Sequence, residues 1–119
     1  MKAFFIALLT AFMAIGTPVS ADDHAANSEE IRNAIAGNTV QGSMVDASDY
    51  TEFYATDGTI KGDGYTGSWY LEDDQMCFKY GDSPADCYGV RLDGNQVIWL
   101  KSGKTDGTGT IVAGNPNDF

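Results

Sequence analysis

Apolar and polar positions change their spacing twice along the chain. A mainly apolar run from Ala3 to Ile15 comes first, and a short stretch follows in which Ile31, Ala34 and Ile35 fall on one helical face. From Gly37 onward the pattern is short runs rich in Thr, Val, Ile, Tyr and Trp, broken every few residues by Gly and Asp. The middle stretch predicts a helix over 27–37. Asn27 or Ser28 can cap it, Glu29 and Glu30 sit in its positive first turn, Asn27 and Glu30 have capping-box spacing, and Gly37-Asn38 is a stop signal. Its apolar stripe is narrow, so it must pack on the rest of the chain to persist.

The alternating runs predict strands near 39–44, 49–55, 59–62, 65–71, 75–80, 87–92, 96–101 and 108–113. Asp57-Gly58, Asp63-Gly64, Asp93-Gly94 and Asp106-Gly107 are expected at four connections, since these residues tolerate the positive φ of tight hairpins. Connections this short exclude parallel crossovers. The expected fold is mainly β, an antiparallel meander closing into a small barrel or a strongly curled sheet, with one short N-terminal helix. Closure would remove the exposed edges.

Parity within the strands separates the aromatics from the cysteines. Tyr65, Gly67, Trp69 and Leu71 share one face, as do Met76, Phe78 and Tyr80, then Tyr88, Val90 and Leu92. Together with Trp99, the residues Tyr65, Trp69, Phe78, Tyr80 and Tyr88 are the candidates for lining a ligand cavity or filling the core. Cys77 and Cys87 fall on the opposite face. If they face each other across an antiparallel pair, Met76 lies opposite Tyr88, Phe78 lies opposite Asp86, and the disulfide staples the barrel from outside its core. In 96–101, Ile98 and Leu100 are apolar on the outer side, which the helix is expected to cover.

The first run reads as a secretory signal, with Lys2 before the apolar segment and Val19-Ser20-Ala21 as the cleavage site. Cleavage near Ala21 places the mature chain in the periplasm or outside the cell, with a flexible tail over 22–26 and one β-rich domain over 27–119. Loss of residues 1–21 removes one base, Lys2, from a chain of net charge −10 and leaves 98 residues at −11. A core of this size is marginal, and export suits a structural disulfide. The acidity argues against nucleic acid and favours a basic protein partner. The apolar run is too short for a stable transmembrane helix, and the expected strands are too short to cross a bilayer, so no stable membrane insertion is expected.

Catalytic chemistry is thinly represented. His24 is the only histidine and lies in the expected tail, so neither a Ser-His-Asp nor a Cys-His arrangement can be assembled. Glu52, Asp57, Asp63, Glu72, Asp73 and Asp74 include possible acid pairs, but acids at turns are usually solvated, and a non-enzymatic protein is expected. Cleavage after Ala21 would expose Asp22, Asp23 and His24, whose amine, two amides and imidazole suit square-planar Cu(II) or Ni(II). A histidine by chance in a disordered tail is the simpler reading. Asp73-Asp74, Asp82 and Asp86 cluster in sequence without the spacing of a calcium loop.

Tyr54, Asp57-Gly58-Thr59, Gly67-Ser68-Trp69, Cys77-Phe78, Cys87, Asp93-Gly94, Trp99 and Gly114-Asn115-Pro116 together resemble a group of small exported bacterial proteins of unknown function. That resemblance implies a signal peptide and one compact β domain, and carries no activity with it. Gly67-Ser68-Trp69-Tyr70 is similar to the Gly-x-Trp signature of lipocalin and avidin barrels, which implies a ligand-binding cup, although here it falls in the middle of the strand series. In outline the acidic, disulfide-bonded domain also resembles periplasmic lysozyme inhibitors. The functional expectation is an exported binding or protein-interaction module, with a cup for a small apolar ligand or a periplasmic inhibitor of a basic enzyme such as lysozyme as the alternatives.

Overall fold

A computed structural model of the chain describes residues 24–119. The signal segment over 1–21, and Asp22 and Asp23 of the copper or nickel reading, lie outside the described residues.

Helix α1 (Ser28–Ile35) begins as its sequence dictates: Asn27 Oδ1 accepts from the Glu30 amide at 2.9 Å, and Glu30 Oε1 accepts from the Asn27 amide at 3.1 Å. Asp74 adds a second acceptor for the first turn, its Oδ1 lying 2.8 Å from the Ser28 amide. The helix ends at Ala36, where the backbone becomes extended, and the left-handed Gly37 (φ +79°) turns the chain into the sheet.

Eight strands follow: β1 (Asn38–Met44), β2 (Asp49–Tyr54), β3 (Thr59–Gly62), β4 (Tyr65–Glu72), β5 (Gln75–Lys79), β6 (Asp86–Asp93), β7 (Gln96–Lys101) and β8 (Lys104–Val112). They form a closed antiparallel meander barrel in sequence order, sealed where β1 pairs with β8. The expected register around the disulfide is present: Cys77 pairs with Cys87, Met76 with Tyr88 and Phe78 with Asp86. Both cysteines stand on the outward face, but Cys77 is fully buried there, with Tyr70 paired across from it and the Glu72 carboxylate beside it.

Three expectations are corrected. Asp106-Gly107 is not a turn. Ser102 and Gly103 carry the positive φ values of the β7–β8 hairpin, so β8 starts at Lys104, and Asp106 becomes an extra residue between Thr105, paired with Leu100, and Gly107, paired with Trp99. The helix does not cover the outer side of β7. It packs chiefly against β1, β4 and β5, where Ile31 and Ile35 become fully buried within the core, while Ile98 and Leu100 stay half-buried beside Arg91 and Gly89. The tail read over 22–26 is anchored at its end, because Ala26 is buried and its amide donates to the Val90 carbonyl at 2.6 Å. Asp73-Asp74 and Asp82 with Asp86, which lack the spacing of a calcium loop, also stand apart in space, since a meander places the β4–β5 and β5–β6 connections at opposite ends of the barrel.

The two ends differ in consequence. At one end α1 closes the barrel: Trp69 donates its indole N–H to the Ala55 carbonyl at 2.9 Å, and the Arg32 guanidinium lies 5.9 Å from its ring centre. The opposite end carries the β1–β2, β3–β4, β5–β6 and β7–β8 connections and remains open.

Candidate functional site

In β2 the period of two puts Tyr50, Glu52 and Tyr54 on one face, directed into the barrel. From β5 and the residue after it come Phe78 and Tyr80, from β6 Asp86 and Tyr88, from β7 Trp99 and from β1 Met44, while Ser83 and Pro84 of the β5–β6 connection stand at the mouth. These groups enclose a cup of about 360 Å³ open to solvent at that end.

Glu52 organises it. The residue is only 6% exposed, and its carboxylate accepts from three phenols: Tyr54 on Oε1 at 2.8 Å, Tyr65 on Oε2 at 2.7 Å, and Tyr80 on both oxygens at 3.0 and 2.8 Å. Among the described residues it makes no ion pair. A carboxylate taken from water needs such donors, because desolvation without them costs several kcal/mol, on the order of 2–7 for a merely polar group.

Glycines make the convergence possible. An added Cβ would stand 2.2 Å from the Tyr65 ring at Gly62, 2.7 Å from the Tyr80 ring at Gly67, and 2.4 Å from the Tyr50 hydroxyl at Gly109. Each tyrosine therefore lies across a stretch of wall that carries no side chain, and its hydroxyl reaches inward. Tyr50 uses its position to accept from the Trp99 indole at 2.7 Å and to donate to the Thr108 carbonyl at 3.0 Å.

The aromatic wall is mutually braced. Phe78 packs edge-to-face with Tyr54, Tyr88 and Trp99 at centroid distances of 5.9, 5.7 and 5.3 Å. At the rim, Lys101 pairs with Asp86, donates to the Cys87 carbonyl at 2.9 Å and places its ammonium 4.3 Å from the Tyr88 ring centre. The Tyr88 hydroxyl donates to Asp86 at 3.0 Å.

Protonation follows this arrangement. Burial, reinforced by the negative Glu52, pushes the Tyr54 and Tyr80 phenols well up, and burial with the bond to Glu52 does the same for Tyr65. Burial and Asp86 raise Tyr88, and burial raises Tyr50. The hydrogen bond from Lys101 holds Asp86 below the usual carboxylate range.

Of the sequence candidates, Phe78, Tyr80, Tyr88 and Trp99 border the cup. Trp69 belongs to the helix-closed end, and Tyr65 stands 42% exposed outside the cavity, reaching it only through the bond to Glu52. Tyr50, Tyr54 and Met44 join them as lining residues beyond the sequence candidates, and the signal for the first two is the alternation in 49–54, which sets Tyr50, Glu52 and Tyr54 on one face. Among the other acids, Asp57 accepts from the Thr59 amide in its own turn and Asp74 caps α1. His24 is exposed, with Nε2 3.9 Å from Glu30. Among the described residues, the only group with metal-ligand proximity is Glu72 with Cys77 and Cys87, whose sulfurs are bonded to each other and supply no thiolate.

The fold and site together define a closed eight-stranded meander barrel, plugged by a helix at one end and holding an aromatic cup at the other. No protein-family model, curated protein or solved structure matches the chain.

Proposed function

We propose that the protein is an exported, non-enzymatic binding module whose barrel takes a small ligand into the open cup. One observation carries the reading: an accessible cavity of about 360 Å³ with an aromatic wall and a few converging polar groups, within the ordinary size range of small-molecule sites. The closed end supplies rigidity, since α1 and the Trp69 cluster fix the barrel from which the cup residues project. Inhibition of a basic enzyme draws support from the net charge alone.

The test uses a neutral apolar dye, N-phenyl-naphthylamine, and the mature protein carrying Trp69→Phe, which leaves Trp99 as the only indole. Saturable binding of one dye per chain, with quenching of Trp99 emission, is the expected result. Emission from Trp99 that stays constant up to the solubility limit of the dye would reject the cup as a binding site.

A further inference from the structure

We infer that the ligand of this cup is a small organic cation with an alkylated ammonium head, an inference that rests on reading the barrel as a ligand cup. Three observations lead there. The first is a charge imbalance. Glu52 is buried in the wall of the cup and held only by phenols, whereas the nearby cations are already engaged: Lys101 by Asp86 and the Cys87 carbonyl, Lys79 by the Gly81 and Ser83 carbonyls. Among the described residues this buried carboxylate therefore has no cation beside it, and at a buried group a complementary charge interacts more strongly than in bulk water.

The second is the character of the walls. Phenols that donate to a carboxylate become richer in electron density, and Tyr54 and Tyr80 do so beside Phe78, Tyr88 and Trp99. Such surfaces attract cations through their ring faces. The protein's own ammonium already shows the geometry at the rim, where Lys101 stands 4.3 Å from the centre of the Tyr88 ring.

The third distinguishes the head group. Both Glu52 oxygens are occupied by tyrosine hydroxyls, so a primary ammonium entering the cup would find few free acceptors for its three N–H donors. An alkylated ammonium has few or none to satisfy, and its methyl groups fit an aromatic wall. The surrounding field acts in the same direction, since the mature chain carries a net charge of −11 once Lys2 is removed from the total of −10.

The experiment measures displacement of the neutral dye by choline, by its uncharged carbon isostere dimethylbutanol, and by ethanolamine, with calorimetry on the same solutions. Choline is expected to bind at least about tenfold more tightly than the isostere, and more tightly than ethanolamine. Glu52→Gln should narrow the advantage of choline over the isostere severalfold, the aromatic wall accounting for what remains. Equal affinities in the wild-type protein, or displacement by neither, would overturn the cationic ligand while dye binding preserves the cup. Tighter binding of ethanolamine than of choline would overturn the alkylated head group. Failure of the dye itself to bind would remove both. The wild-type ranking decides the matter even if the Glu52 variant does not fold.

Discussion

Among the described residues, phenols rather than a cation hold the buried Glu52 carboxylate, and the consequence falls on the groups around it. Its three phenol partners keep their protons because burial and the adjacent negative charge both disfavour a phenolate. In the unfolded chain these tyrosines ionise near pH 10. Below that pH both states hold the protons and the stabilisation is complete. Above it the unfolded chain loses protons that the fold retains, so stability must fall as pH rises toward the folded values. Asp86 works in the opposite sense: its lowered carboxyl gives stability that is present above about pH 4 and lost on acidification below it. Urea midpoints measured across the alkaline range should decline above about pH 10, with phenolate absorbance of the buried tyrosines appearing only on unfolding. Midpoints that stay flat would mean that these phenols are not protected by the fold. Part of this site could be read in advance, because alternation put Tyr50, Glu52 and Tyr54 on one face. The arrival of Tyr65 and Tyr80 could not, since it depends on which glycine each ring crosses after closure.

At the scale of elements, α1 and the closing seam show how local signals and long-range geometry divide the work. The capping box of Asn27 and Glu30, the stop at Gly37 and, to within a residue, the limits of β1 to β7 were legible because each depends on residues a few positions apart. The helix's docking place was not, because its apolar stripe demands a partner without naming one. Asp106-Gly107 misled for a related reason: its composition suits a turn, but Ser102-Gly103 satisfies the same requirement earlier in the chain, which leaves Asp106 to form a bulge whose carbonyl accepts from Val45 at 2.8 Å. The β1–β8 seam depends on Gly42 facing Gly109, where an added Cβ would stand 2.0 Å from the Thr108 carbonyl oxygen and 2.5 Å from the Gly109 Cα. Backbone cannot swing aside as a side chain can. Gly42→Ala is therefore expected to destabilise the barrel by about 3 kcal/mol. Gly89→Ala, whose nearest neighbour would be the Leu100 Cβ at 3.4 Å, should cost less than about 1 kcal/mol. Urea unfolding of the two variants makes the comparison, and equal losses would refute the seam's dependence on Gly42.

On the scale of the whole molecule, the meander and its outward disulfide followed from short connections and strand parity, whereas the choice of open end required the helix to be placed. Cys77–Cys87 closes a loop within two adjacent strands and stands away from the cup. Reduction should lower unfolding stability by roughly 3 kcal/mol on the chain-entropy account, yet leave dye affinity unchanged under conditions where the reduced protein remains folded. Parallel urea titrations with and without reductant, each followed by a dye titration, check both parts. The seam between β1 and β8 has a consequence for the order of events as well as for the finished barrel. Its partners lie at opposite ends of the domain, Val40 beside Ile111 and Gly42 beside Gly109, so an emerging chain cannot complete its wall until the last strand has been released. Until then β1 keeps an unpaired edge, and closure must meet the entropy of joining distant segments. Folding should accordingly be slow for so small a protein and delayed until after synthesis of residue 112, with the cup acquiring its shape only in that final pairing step.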